Sequence, residues 1–341
     1  MAKSIQSVYA LLKRVEPSLR AAFLASIRDI TDSAVISEIG DAIAAGDIDR
    51  AVRAVGVEPA AFRPLTAAVE SAYETGGVWT ASQFSRPAGM AQVRFDVRNS
   101  RAEAWLRDYS SELVTNITSE QLGLVRSTIL DGMATGINPR NTALDLIGRI
   151  DPVTGKRTGG IVGLNKPQAT ALENAKRDLN ELSENYFNRE LRDKRFDGVV
   201  RKAIDSGNPL TQTQIDNISQ RYSNNLLQWR GETIARDQAL TALNTSQQEA
   251  LQQLLDKGNV DQQDVVREWD SAGDDGRTRR SHLEMDGQKV GATEPFTTPD
   301  GAKLMFPGDF SLGAPPDETI NCRCRVKLVI DFARKARESN Q

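Results

Sequence analysis

One histidine and two cysteines occur in 341 residues, and all three fall between positions 282 and 324. Imidazole and thiolate are the side chains best suited to a zinc ion, and a tetrahedral site needs four ligands. His282, Cys322 and Cys324 supply three, so Asp286 completes the candidate set His282, Asp286, Cys322 and Cys324. A metal-dependent hydrolase built on that cluster is one reading. The plainer reading is structural, because Cys322 and Cys324 share the parity of Val326, Leu328 and Ile330, so one strand turns all five toward a core. Their Cys-x-Cys spacing disfavours a disulfide, since residues i and i+2 of a strand lie roughly 6.5–7 Å apart. Ser281 and His282 are adjacent, and on a strand neighbours point apart, which excludes a nucleophile–base pair there.

Charged residues crowd the same stretch. Arg277, Arg279 and Arg280 suit phosphate contacts, but Asp270, Asp274, Asp275 and Glu284 offset them, which favours an internal ion-pair network. The opposite parity of the last strand carries Arg323, Arg325 and Lys327, a candidate face for DNA or an acidic partner. The sequence Lys156-Arg157-Thr158-Gly159-Gly160 is basic and glycine-containing, yet it lacks the context of a phosphate loop.

The elements that must position these groups are mostly helical. Ile5, Val8, Leu11, Leu12 and Val15 recur at helical spacing and Pro17 is expected to break the run. A helical layer is expected over 41–55, punctuation at Gly76-Gly77 and at Arg86-Pro87-Ala88-Gly89, and separate helices over 98–108 and 120–133. Turn formers crowd 135–166 around a helical pattern at 143–150. Pro167 opens a helix that runs with interruptions to Ile204. Thr211 and Gln214 form a capping box that opens a second long helix, and Gly258 is its stop. The grammar then changes. Val265–Trp269 has strand propensity, Pro299-Asp300-Gly301 reads as a hairpin turn, and 324–330 alternates. The expected fold class is α+β: a helical region with long helices at 1–90 and 91–258, a small module of short antiparallel strands at 259–334, and a charged tail at 335–341.

Composition narrows the function classes. A formal net charge of −3 argues against a generic nucleic-acid binder and leaves room only for a local basic patch. Met1–Ile5 carries no apolar leader, and no apolar run approaches the roughly 20 residues that span a bilayer. Synthesis in a reducing cytoplasm is expected.

The ordered set Trp269, Asp275, Arg277-Thr278-Arg279, Ser281-His282, Asp286-Gly287-Gln288, Phe306-Pro307-Gly308-Asp309 and Asn321-Cys322-Arg323-Cys324 resembles the C-terminal domain of phage Mu F-like minor head proteins. These belong to the wider head-morphogenesis family that includes the SPP1 gene 7 type. Weaker similarity extends upstream through 157–164 with Gln168 and through Ile234–Leu240, for a coverage of about 135 to 330. One form of this module carries Cys-x-x-Cys after the Arg-Thr and a His before the Cys-Arg-Cys, which together look like a zinc set. Here Arg279 and His282 stand in the first two places and residues 317–320, just before Asn321, include no His, so the resemblance is to the other form and implies no cofactor. It implies a non-enzymatic minor capsid protein inside the head near the portal. Assembly and DNA packaging or delivery are the implied roles. The implied partners are the portal protein, the major capsid or scaffolding protein, and packaged DNA. A sequence-independent DNA-binding protein is the remaining alternative.

Overall fold

In this computed structural model Thr211 and Gln214 cap a helix as their spacing predicts. The Thr211 N–H donates to Gln214 Oε1 at 2.8 Å and the Gln214 N–H donates to Thr211 Oγ1 at 3.3 Å. The structure describes residues 3–84, 94–152, 154–258, 260–271, 273, 276 and 278–332, so Arg86-Pro87-Ala88-Gly89 lies outside it. Among these residues the helices are α1 (Lys3–Ser33), α2 (Ile36–Ala44), α3 (Ile48–Val55), α4 (Arg63–Gln83), α5 (Ser100–Ala134), α6 (Pro139–Ile147), α7 (Lys166–Asn180), α8 (Asp197–Ser206), α9 (Gln212–Asp256), α10 (Arg280–Glu284) and α11 (Pro316–Thr319). The strands are β1 (Arg149–Ile150), β2 (Arg157–Thr158), β3 (Val265–Asp270), β4 (Lys289–Gly291), β5 (Phe296–Thr297), β6 (Lys303–Leu304) and β7 (Arg325–Ile330). The class is α+β, with long helices and short antiparallel strands.

The chain divides into two compact units. One comprises Met1–Arg20, Thr66–Ser110 and Thr233–Gln341; the other comprises Ala21–Leu65 and Ser111–Glu232. The first holds a three-stranded antiparallel sheet in the order β4-β3-β7, with Trp269 opposite Val326 and Asp270 opposite Arg325. Val265 on β3 packs with Leu251 of α9 and Ala292. The Tyr73, Trp105 and Tyr109 rings stack at 4.7 and 4.6 Å, and the Tyr109 hydroxyl meets Gln238 of α9. The second unit centres on Leu179, Tyr186, Val200, Ile215 and Ile218.

Several expectations are corrected. Pro17 lies inside α1, where buried Val15 and Leu19 on either side hold the helix through the hydrogen bond that proline forfeits. The layer at 41–55 is two helices, parted at Gly46 (φ 72°) with Asp47 accepting from Arg50 N–H as the cap of α3. Gly76 and Gly77 are not punctuation but mid-helix close approaches: a Cβ would lie 2.3 Å from Ser246 Oγ and from Phe95 Cε1 respectively. The two helices expected at 98–108 and 120–133 are the single α5. Burial of Val114, Ile117 and Gln121 overrides the weak helix propensity of the Ser/Thr-rich stretch between them. The helical pattern at 143–150 ends at Ile147, where Gly148 (φ 84°) turns the chain into β1.

Candidate structural knot and metal centre

β3 is the platform. Its core face presents Val265, Arg267 and Trp269, all buried, while Glu268 and Asp270 face the other way. Trp269 meets the His282 ring edge-on at 5.0 Å and Phe296 at 5.2 Å. Its backbone is fixed as well: Trp269 N–H donates to Gln288 O and Gly287 N–H donates to Trp269 O, both at 2.8 Å. The loop between β3 and α10 is tied back by Asp286, whose Oδ1 accepts the Ser271 N–H at 2.8 Å. His282 sits on the helical turn α10, not on a strand, which turns the ring edge toward Trp269 and leaves His282 and Ser281 beside the same Glu318 oxygen.

Cys322 and Cys324 approach that ring together. Their sulfurs lie 3.4 and 3.5 Å from His282 Nδ1, and the three ligand atoms are all within 4.8 Å of one another. The other ring nitrogen, Nε2, lies 2.9 Å from Glu318 Oε2, which also accepts the Ser281 hydroxyl at 2.9 Å. His282, Cys322 and Cys324 are 1–3% exposed. Neither cysteine is in a disulfide, and the hydrogen bond with Cys324, reinforced by burial, pushes the Cys322 thiol well above its usual range. Three of the four candidate ligands therefore converge, and Asp286 is engaged elsewhere.

The turn that carries the cysteines is held from α9. Asn321 takes a left-handed backbone (φ 57°), its N–H donates to Asp237 Oδ1 at 2.7 Å, and Arg236 donates to its side-chain oxygen at 2.6 Å. Arg279 donates to the Ile320 carbonyl. Burial pushes the Asp237 carboxyl up to about 6, against the opposing pull of the Asn321 hydrogen bond and of Arg236 and Arg279. Arg323 lines a small cleft with Glu16 and Arg236. Arg325 pairs with Asp270 at 2.9 Å, and Lys327 pairs with Asp270 and Glu268 at 3.2 and 3.5 Å, so acids of β3 occupy two of the three candidate contact cations. Asp275 and Arg277 lie outside the described residues. In the Phe306–Asp309 loop, Asp309 accepts from Met305 and Ser311 N–H groups, and Asn244 of α9 donates to Pro307 O.

Sequence reasoning missed Glu318, Arg236 and Asp237 as parts of this knot, and it missed Arg267. That guanidinium is fully buried and donates to the Gly291, Met305 and Glu294 carbonyls and to Gln248. Burial lowers it to about 10, partly opposed by the nearby Glu294 charge. A signal was present: Arg267 has the core parity of Val265 and Trp269.

The upstream segment 157–164 forms a strap in the second unit. Gln121 donates to Leu164 O and accepts from Gly163 N–H, Asn224 accepts from Gly159 N–H, Ser223 donates to Gly160 O, and the buried Arg230 donates to Gly163 O. Nearby, a cleft of about 320 Å³ is lined by Arg28, Lys156, Arg157, Arg221 and Asn224 among others.

Residues 194–327 match the family model described as phage Mu protein F like protein. Over that segment the chain is Mu F-like, and the ordered motif set from Trp269 to Cys324 lies inside it. Residues 135–193, where the resemblance read from the sequence was weaker, fall outside the match. No curated protein and no solved structure matches the chain.

Proposed function

We propose that this chain, Mu F-like over residues 194–327, is a minor head-morphogenesis protein of a tailed phage or prophage that acts inside the capsid near the portal. The family match carries the reading. The contacts of the motif residues support a structural role: Trp269, Arg279, Asp286 and Asn321 each brace a turn or a strand. The hydrolase reading is disfavoured because a substrate cannot reach His282, Cys322 and Cys324 at 1–3% exposure. Portal docking is tested by mass spectrometry of purified procapsids and filled heads. The chain is expected in a few copies wherever the portal is present, and particles that hold the portal but lack this chain overturn the reading.

For DNA contact we favour the cleft of Arg28, Lys156, Arg157 and Arg221, where Arg221 lies 3.8 Å from Asp151, over the β7 face, where Arg325 and Lys327 are held by Asp270 and Glu268. Retention on DNA that weakens steeply with salt is expected, with a shallower salt dependence in Arg28→Ala and Lys156→Ala. Binding that ignores salt removes DNA from the list of partners.

A further inference from the structure

Three buried soft ligand atoms converge beside α10. Cys322 Sγ and Cys324 Sγ lie 3.4 and 3.5 Å from His282 Nδ1, and the three atoms are all within 4.8 Å of one another. Glu318 Oε2 lies 2.9 Å from the other ring nitrogen, Nε2. A cation among the three atoms takes a bond from each. The spacing fits: Zn–S bonds of about 2.3 Å and Zn–N bonds of about 2.0–2.1 Å at tetrahedral angles put sulfur about 3.5 Å from nitrogen. The charge fits too, because two thiolates neutralise a divalent ion in a site with almost no solvent exposure.

We infer that Cys322 Sγ, Cys324 Sγ and His282 Nδ1 bind one zinc ion, with Glu318 orienting the imidazole through Nε2. A carboxylate on the distal nitrogen of a ligating histidine is the usual outer-shell arrangement for such a site. Binding releases the two thiol protons to solvent. Asp286 takes no part, since its carboxylate holds the Ser271 N–H. The chain's own ligands number three, and the fourth position is left to water. The ion would staple α10 to the Cys-Arg-Cys segment, and through Asn321, Arg236 and Asp237 that segment is already fastened to α9. The inference is independent of the capsid reading, because it concerns the isolated chain.

The test uses the full-length chain, purified under reducing conditions, loaded with Zn²⁺ or Co²⁺ and desalted. About one ion per chain is expected, and the cobalt form should show sulfur-to-metal charge-transfer absorption. That absorption should fall by about half in Cys322→Ser or Cys324→Ser, in proportion to the thiolates left, and vanish in the double variant. Asp286→Asn should keep the ion, and Glu318→Gln should hold it about 10–100-fold more weakly. A folded wild-type chain that takes up no zinc, or cobalt bound without thiolate absorption, overturns the inference. The wild-type spectrum decides even if a cysteine variant fails to fold.

Discussion

The strap at 157–164 and the knot around His282 solve the same problem with different chemistry. Both are irregular chain held against long helices. The strap is held by amides, one hydroxyl and one guanidinium, from Gln121, Asn224, Ser223 and Arg230, and each of these meets a backbone partner. Its glycines are obligatory because of proximity: a Cβ on Gly160 would lie 2.5 Å from Gly148 N. The knot is held partly by ionisable groups. Arg236 and Asp237 grip Asn321, while one imidazole nitrogen faces two thiols. The strap is therefore complete as polypeptide, whereas the knot gathers three soft ligand atoms around the position of the proposed ion. A network of groups that each meet a backbone partner makes a fixed part of a fold; a buried set of titratable soft ligands makes a fold open to metal and redox control.

Substitutions in the two regions should diverge accordingly. The largest effect is expected at Gly160→Ala, where φ is 82° and the added Cβ meets backbone on several sides, at a cost of about 3 kcal/mol or more. Gly155→Ala has the same handedness (φ 66°) but open space, and should cost only ~1 kcal/mol when both variants are compared by urea titration. Arg230→Met comes next. It leaves Gly163 O without its donor and Glu120 without its partner, at about 2–3 kcal/mol, read as a shift in the denaturation midpoint without a change in slope.

The knot should respond to pH instead. Because the folded Asp237 titrates near 6, above its usual 3.8, the native state keeps a proton that the unfolded chain releases, so stability falls as pH rises from about 4 to about 6. Asp237→Asn keeps an acceptor for Asn321 and removes the charge. It should flatten that profile and raise stability at pH 7 by roughly 2 kcal/mol, measured by denaturation across a pH series. The smallest effect is expected for Lys327→Ala on the half-exposed face of β7, under ~1 kcal/mol and shrinking with added salt.

What was legible in the sequence follows the same divide. The cap of α9 at Thr211, its stop at Gly258 (φ 69°) and the Pro-Asp-Gly hairpin are local signals, and local signals suffice for them. The α5 helix was not legible as one piece, because burial of residues 114–121 supplies what their propensity lacks. Gly76 and Gly77 read as a turn, since a glycine needed for close approach is indistinguishable in sequence from one needed for positive φ. Cys322 and Cys324 are buried, as the alternation with Val326 suggested, but they precede β7 (Arg325–Ile330) and do not lie on that strand. The rest of the knot was not. Asp237 and Asn321 are 84 positions apart, and Glu318 approaches His282 only because α11 folds back beside α10. The order of the motif residues pointed to the family, while their contacts show why such scattered residues form a set.

The most direct test of this contrast is hydrogen exchange on the reduced, zinc-loaded full-length chain before and after a chelator. Amides of 279–284 and 320–326 should lose protection by about tenfold or more, equivalent to ~1.4 kcal/mol, while those of 157–164 remain unchanged. Equal protection of the knot with and without chelator, or equal loss in both segments, would contradict the account.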